Sequence, residues 1–232
     1  MPTLQVTDSP AALADAVAAQ VEETAAEAVA ARGRFTLALP GGSVATTCFP
    51  RLVTARVDWA TTEVFFADER AVPPDHPDSN YGLAHRLLLS RVPVRTGRAR
   101  RMAGELAPVS AARRYEETLA RLLGQPPVFD LVLLGVGEDG HVASIFPGRQ
   151  ALDAPGGWVA AVLDAPKPPG QRVTLTLPTL VAARHIVIAA MGAEKSRAIR
   201  AALDDPASRL PVARVARASG DVRFITDAAA AR

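Results

Sequence analysis

Short unbroken apolar runs alternate along this chain with longer stretches in which apolar residues recur every three or four positions. The first pattern suits strands buried on both faces of a sheet, the second amphipathic helices. Ser9-Pro10 supplies an N-cap hydroxyl and a proline at the first helical position. The alanine-rich helix that follows carries Leu13, Val17 and Val21 at four-residue spacing, reaches Ala31 and ends at Gly33. Residues 34–39 read as a strand, 40–43 as a turn, and 44–53 as a helix weakened by Pro50. A strand follows over 63–67. Ser79-Asn80 caps a helix through Leu89, and another helix runs over 110–123 and stops at Gly124. Further strands are expected over 131–134, 158–163, 172–177, 185–190 and 221–226, with a rim or lid loop at the proline-rich segment 165–170. Lys195 opens a helix reaching Leu203, and a short helix is expected over 227–232. Strands alternating with helices predict an α/β fold with an open, mostly parallel sheet covered on both faces.

The chemistry concentrates just past strand ends, where such sheets place ligand-binding groups. After the run 131–134 come Gly135, Gly137 and Gly140, with Glu138, Asp139 and His141 among them. The glycine spacing is that of a dinucleotide loop, but Glu138 and Asp139 put negative charge where phosphates would lie, and Pro147-Gly148 leaves little room for a long helix. An imidazole and a carboxylate on a glycine-permitted turn fit proton transfer to or from water better. The Gly41-Gly42-Ser43 turn exposes successive backbone N–H groups and reads equally as an anion site or a tight turn. Asp68-Glu69-Arg70 closes the strand at 63–67 as either ligand-binding groups or a solvated end.

Composition narrows the picture further. A chain of 232 residues, 49% hydrophobic and 22% charged, suits a globular protein, most simply one domain over 1–232, with two lobes also open. Residues 1–20 lack a basic start followed by an apolar core, and no apolar run approaches the ~20 residues that span a bilayer; a cytoplasmic protein without a membrane partner is expected. Cys48 is the only cysteine, which rules out an internal disulfide and a cysteine-based metal site. The pI is about 9.1 but the net charge only +2, too little to imply a nucleic-acid partner. The basic stretch 95–101 contains no aromatic residue and reads as a solvated surface. Lysine occurs only at Lys167 and Lys195.

Four segments, in order along nearly the whole chain, together resemble the 6-phosphogluconolactonase family, relatives of the glucosamine-6-phosphate deaminases. They are Leu39-Pro-Gly-Gly-Ser43; Phe66-Ala-Asp-Glu-Arg70 with Asp78-Ser-Asn80; the glycine-rich segment 135–148; and Arg172-Val-Thr-Leu-Thr176 with Gly192-Ala-Glu-Lys195. The resemblance implies a Rossmann-like fold and hydrolysis of 6-phosphoglucono-δ-lactone in the pentose phosphate pathway, with no organic cofactor and no metal. It places the catalytic histidine at His141, with Asp139 or Asp68 as orienting partner. It places phosphate binding at Gly41, Gly42, Ser43, Arg70, Arg172 and Lys195. Where the family commonly continues Thr-Pro after the Gly-Gly-Ser turn, this chain has Val44-Ala45, which removes one hydroxyl. The deaminases carry Asn-Glu after the histidine and tyrosine after Asp-Glu; here those positions are Ile145-Phe146 and Arg70. A sugar-phosphate isomerase or deaminase is thus the second expectation, and a module that binds a phosphorylated ligand without turnover the third. A monomer acting on a small sugar-phosphate lactone is favoured.

Overall fold

The computed structural model describes residues 1–149, 157–218 and 220–232. Six parallel strands form the central sheet: β1 (Thr3–Thr7), β2 (Phe35–Leu39), β3 (Thr62–Phe66), β5 (Leu131–Gly135), β8 (His185–Ala190) and β9 (Asp221–Asp227), in the spatial order β1-β9-β8-β5-β2-β3. A smaller antiparallel sheet contains β4 (Asp68–Arg70), β7 (Arg172–Leu175) and β6 (Val159–Val162), in that order. The helices are α1 (Pro10–Arg32), α2 (Gly42–Leu52), α3 (Asn80–Ala84), α4 (Pro108–Leu123), α5 (Leu177–Val181), α6 (Ser196–Leu203) and α7 (Pro211–Ala216). Among the described residues, no helix is long and apolar enough to cross a membrane.

Alternate residues of the central strands feed two cores, as the period of a strand requires. Leu37, Leu39, Leu131, Leu133 and Val187 pack with Leu13, Val17 and Val21 of α1 and with Phe49 of α2. Ala38, Val132, Leu134, Ile186 and Ile188 face the other way, toward Leu119 of α4, Ile199 of α6 and Val212 of α7. Burial of each large apolar side chain contributes roughly 1.5–3 kcal/mol. Both faces are therefore covered, and the sheet is held from both sides. The first helix forms as its sequence dictates: the Ser9 hydroxyl accepts from the Ala12 N–H, and Gly33 adopts φ 69°, the left-handed C-cap conformation that glycine permits.

Several elements differ from the sequence expectations. Segments 158–163 and 172–177 leave the parallel sheet for the antiparallel one, and Leu177 already begins α5. The helix expected over 44–53 starts at Gly42, which puts Ser43 in its first turn. Beyond α3 the helix continues over His85–Leu89 with π-type geometry. The helix expected over 227–232 is absent: β9 extends through Asp227, whose carboxylate accepts from the Ala230 and Gly192 N–H groups and so folds the end into turns. The edge strand β1 and the short helices α5 and α7 carry too little apolar periodicity to predict; β1 leaves Leu4 and Val6 exposed. The arginine-rich stretch 95–101 is more than solvated surface. Its backbone pairs with the β3 edge at Val64, and Arg98 and Arg100 grip Glu63 at 3.5 and 2.9 Å.

Candidate active site

The chain leaves β2 toward β3 on one side, while β5 lies on the other, so a crevice opens between the carboxyl ends of β2 and β5, where open α/β sheets bind ligands. A cleft of about 170 Å³, open to solvent, occupies this position. Its walls include Gly41, Gly42, Ser43, Asp68, Arg70, His141, Arg172 and Lys195, drawn from segments far apart in the sequence. Asp139 stands directly behind His141. The candidate site residues thus meet at one place, together with Asn80, Ala143 and Lys167, to which no role in the site had been given.

At the cleft floor, Gly41 is the N-cap of the eleven-residue α2, and no side chain caps it. The first-turn N–H groups of α2 therefore have no side-chain acceptor at the cap, the local condition for holding an anion. Gly42 has φ 66°, and a Cβ on Gly41 would overlap the Asn80 amide, so glycine is required at both positions.

Asp68 and Arg70 reach the cleft because the chain crosses from one sheet to the other at Ala67. The Ala67 N–H donates to Leu39 of β2, and its carbonyl accepts from Leu175 at the end of β7. Antiparallel pairing then sets Asp68 opposite Thr174 and Arg70 opposite Arg172. The buried Asp68 carboxylate accepts from the Ser144 hydroxyl at 2.5 Å and from Asn80 Nδ2 at 3.0 Å. The middle residue, Glu69, has a structural role. It accepts from the N–H groups of Asn80 and Tyr81 and from the Ser79 hydroxyl, capping α3. Burial raises its carboxyl above the ordinary range, against the lowering effect of those N–H groups.

His141 Nδ1 lies 2.6 Å from Asp139 Oδ1, which also accepts from the His141 N–H at 3.2 Å. Of the two candidate partners, Asp139 is therefore the one in contact with the ring. Burial raises the Asp139 carboxyl, but the imidazole and its hydrogen bonds outweigh this and hold it below its ordinary value, so it stays ionised. A carboxylate at Nδ1 fixes the tautomer with the proton on Nδ1 and leaves the Nε2 lone pair free. Gly137 admits this pair, since a Cβ there would overlap both the imidazole and the Asp139 carboxylate. Gly140 turns the loop at φ 82°, and its carbonyl accepts from the Val212 N–H at 3.0 Å, so α7 supports the loop from behind. Ala143 holds φ 50° on the cleft wall, a conformation an L-residue adopts at some cost and one concentrated at functional sites. Phe146 packs on the other side of the imidazole, ring centroids 4.6 Å apart.

The cations differ in availability. Arg172 is buried and donates Nε to the Pro169 carbonyl, Nη2 to the Lys167 and Pro168 carbonyls, and Nη1 to Ser144. Two of these contacts are long, to Pro168 at 3.5 Å and to Ser144 at 3.4 Å, so at least one of its five N–H groups remains for a ligand while the others anchor the loop. Arg70 donates Nη1 to the Asp78 carbonyl. Among the described residues, Lys195 makes one ion pair, a long one to Glu194 at 3.9 Å, and is the least committed of the expected phosphate ligands. Lys167 went unassigned because a lysine in a proline-rich loop carries no pattern of its own, although segment 165–170 was expected as a rim or lid loop and does reach the cleft. Among the described residues, no cluster of metal-ligating side chains occurs.

Residues 8–224 match the family of glucosamine-6-phosphate isomerases/6-phosphogluconolactonase, and the chain belongs to that family. Within it, the chain is similar to the 6-phosphogluconolactonases of Homo sapiens and Rattus norvegicus, at 40% and 39% identity over 99% of this chain and 92% of theirs. The solved 6-phosphogluconolactonase of Trypanosoma brucei shares the fold with a TM-score of 0.86 at 34% identity, covering 100% of this chain and 98% of that one. A monomeric glucosamine-6-phosphate deaminase matches with a TM-score of 0.84 but 19% identity, over 99% and 98% of the two chains, a likeness of fold alone.

Proposed function

We propose that this protein hydrolyses 6-phospho-D-glucono-1,5-lactone to 6-phospho-D-gluconate, a step of the oxidative pentose phosphate pathway. The observation that carries this reading is the Asp139–His141 pair at 2.6 Å, set in a cleft with an uncapped helix terminus and basic side chains. His141 Nε2 takes a proton from water as the water oxygen bonds to the lactone carbonyl carbon, and Asp139 stabilises the imidazolium. Collapse of the tetrahedral intermediate breaks the bond to the ring oxygen, which receives the proton from Nε2. Water is the only co-reactant, and the imidazole ends as it began. Gly41, Gly42, Ser43, Arg70 and Lys195 hold the phosphoryl group, and Arg172 fixes the loop beside them.

The alternative deaminase chemistry needs a carboxylate to shuttle protons beside the histidine. At the matching positions Ile145 and Phe146 are fully buried apolar side chains, which favours the lactonase. The test is hydrolysis of the lactone by purified protein, measured as rate over spontaneous opening, alongside ammonia release from glucosamine 6-phosphate. A rate above blank with no ammonia is expected; no excess rate at any protein concentration would refute the assignment.

A further inference from the structure

Lys167 lies outside every role given so far, yet it lines the same cleft. Its Nζ stands 2.7 Å from Glu138 Oε1, on the loop that also carries Asp139 and His141. We propose that Lys167 is an oxyanion ligand of this cleft, neutralised by Glu138 in the empty protein and transferred to the phosphorylated ligand when it enters. The inference rests on the reading of the cleft as a sugar-phosphate site.

The backbone under Lys167 is tied down. The Ala165 N–H donates to the Gly170 carbonyl at 2.8 Å, and Arg172 grips the carbonyls of Lys167, Pro168 and Pro169 from below. Only the four-carbon side chain is left to move, and it is compact, charged and flexible. The pair it would leave is half exposed, 50% for Lys167 and 55% for Glu138, and solvent screens such pairs so strongly that exchanging partners costs little. The exchange also has a driving force. An entering phosphate monoester carries close to two negative charges, against one on Glu138. With most Arg172 donors already engaged by its own loop, a flexible ammonium above the cleft adds N–H donors that can follow the ligand.

Two groups on the ligand could receive Lys167: the phosphoryl group throughout, or the carboxylate created by hydrolysis. Calorimetric titration of the full chain with 6-phosphogluconate, inorganic phosphate and gluconate separates them. Lys167→Gln should weaken 6-phosphogluconate binding about tenfold, and should weaken phosphate or gluconate according to which group it meets; Lys167→Arg should restore most of the loss. Glu138→Gln should tighten binding about threefold in the wild-type background and barely at all when combined with Lys167→Gln. Both side chains are half exposed, so the variants should fold. Unchanged 6-phosphogluconate affinity in Lys167→Gln would overturn the proposal. So would a Glu138→Gln gain of equal size in both backgrounds, since Glu138 would then merely repel the ligand. Wild-type protein that binds 6-phosphogluconate without hydrolysing the lactone would instead refute the proposed function and leave Lys167 in place.

Discussion

Strands β2, β5 and β8 carry charged clusters at both ends, and the two ends use charge in opposite ways. At the amino ends, the buried Asp130 is saturated. Arg32 reaches one oxygen at 2.9 Å, with Arg184 at 3.6 Å, and the Thr36 N–H and hydroxyl reach the other at 2.8 Å. At the carboxyl ends, Asp68 accepts from Ser144 and Asn80 alone, and the N–H groups opening α2, the Nε2 of His141 and the ammonium of Lys195 have little to bind among the described residues. A closed network stabilises the fold. Groups left over at the other end, held rigidly by the same strands, are what a ligand meets. Burial of charge alone does not mark a functional site; the availability of donors and lone pairs does.

The comparison breaks most sharply at His141. Replacing it with alanine should lower turnover by about 10²–10⁴-fold, after correction for spontaneous opening, while 6-phosphogluconate still binds. Near-normal corrected turnover in folded His141→Ala protein would move the proton transfer to another group. At the opposite edge, Asp130→Ala should destabilise the protein by about 3 kcal/mol in urea unfolding, because the Thr36 N–H loses its buried acceptor, yet leave turnover per folded molecule unchanged. A catalytic defect there would erase the distinction between the two edges. Lys195→Ala should show the reverse: affinity for 6-phosphogluconate lower by about 1.5–3 kcal/mol in titration, with little change in melting temperature.

The smallest effect belongs to neither edge. Hydrogen bonds from Arg101 at 2.6 and 2.7 Å hold the Glu105 carboxyl down to about 2, against an ordinary value of 4.5. A depressed folded value stabilises the protein above pH 4.5, and that contribution is lost as the pH falls toward about 2. The side chain is 35% exposed, so screening keeps the gain under about 1 kcal/mol. Glu105→Gln should be slightly less stable than wild type at neutral pH, with the gap closing in acid. A gap that persisted at pH 2 would locate its cause outside the ion pair.

Five of the six strands of the central sheet, all but β1, the ends of α1 and α4, and the loop of Gly135, Gly137, Asp139 and His141 were visible in the sequence, because each rests on local signals: apolar runs, caps and glycines. The Asp139–His141 contact spans two residues, so the chain itself nearly specifies it. Contacts between distant segments were settled only in three dimensions. The division of labour in Asp68-Glu69-Arg70 depends on α3 arriving with unpaired N–H groups for Glu69. Arg172 became an anchor because the antiparallel hairpin of β6 and β7, with Val162 opposite Arg172, folds the carbonyls of 167–169 back onto it. Lys167 gained its place above the cleft by that same pairing, and the fate of the chain end was set by Asp227 finding the N–H of Gly192. A sequence states which groups can donate and accept; which of them remain unpaired depends on neighbours that only the tertiary fold supplies.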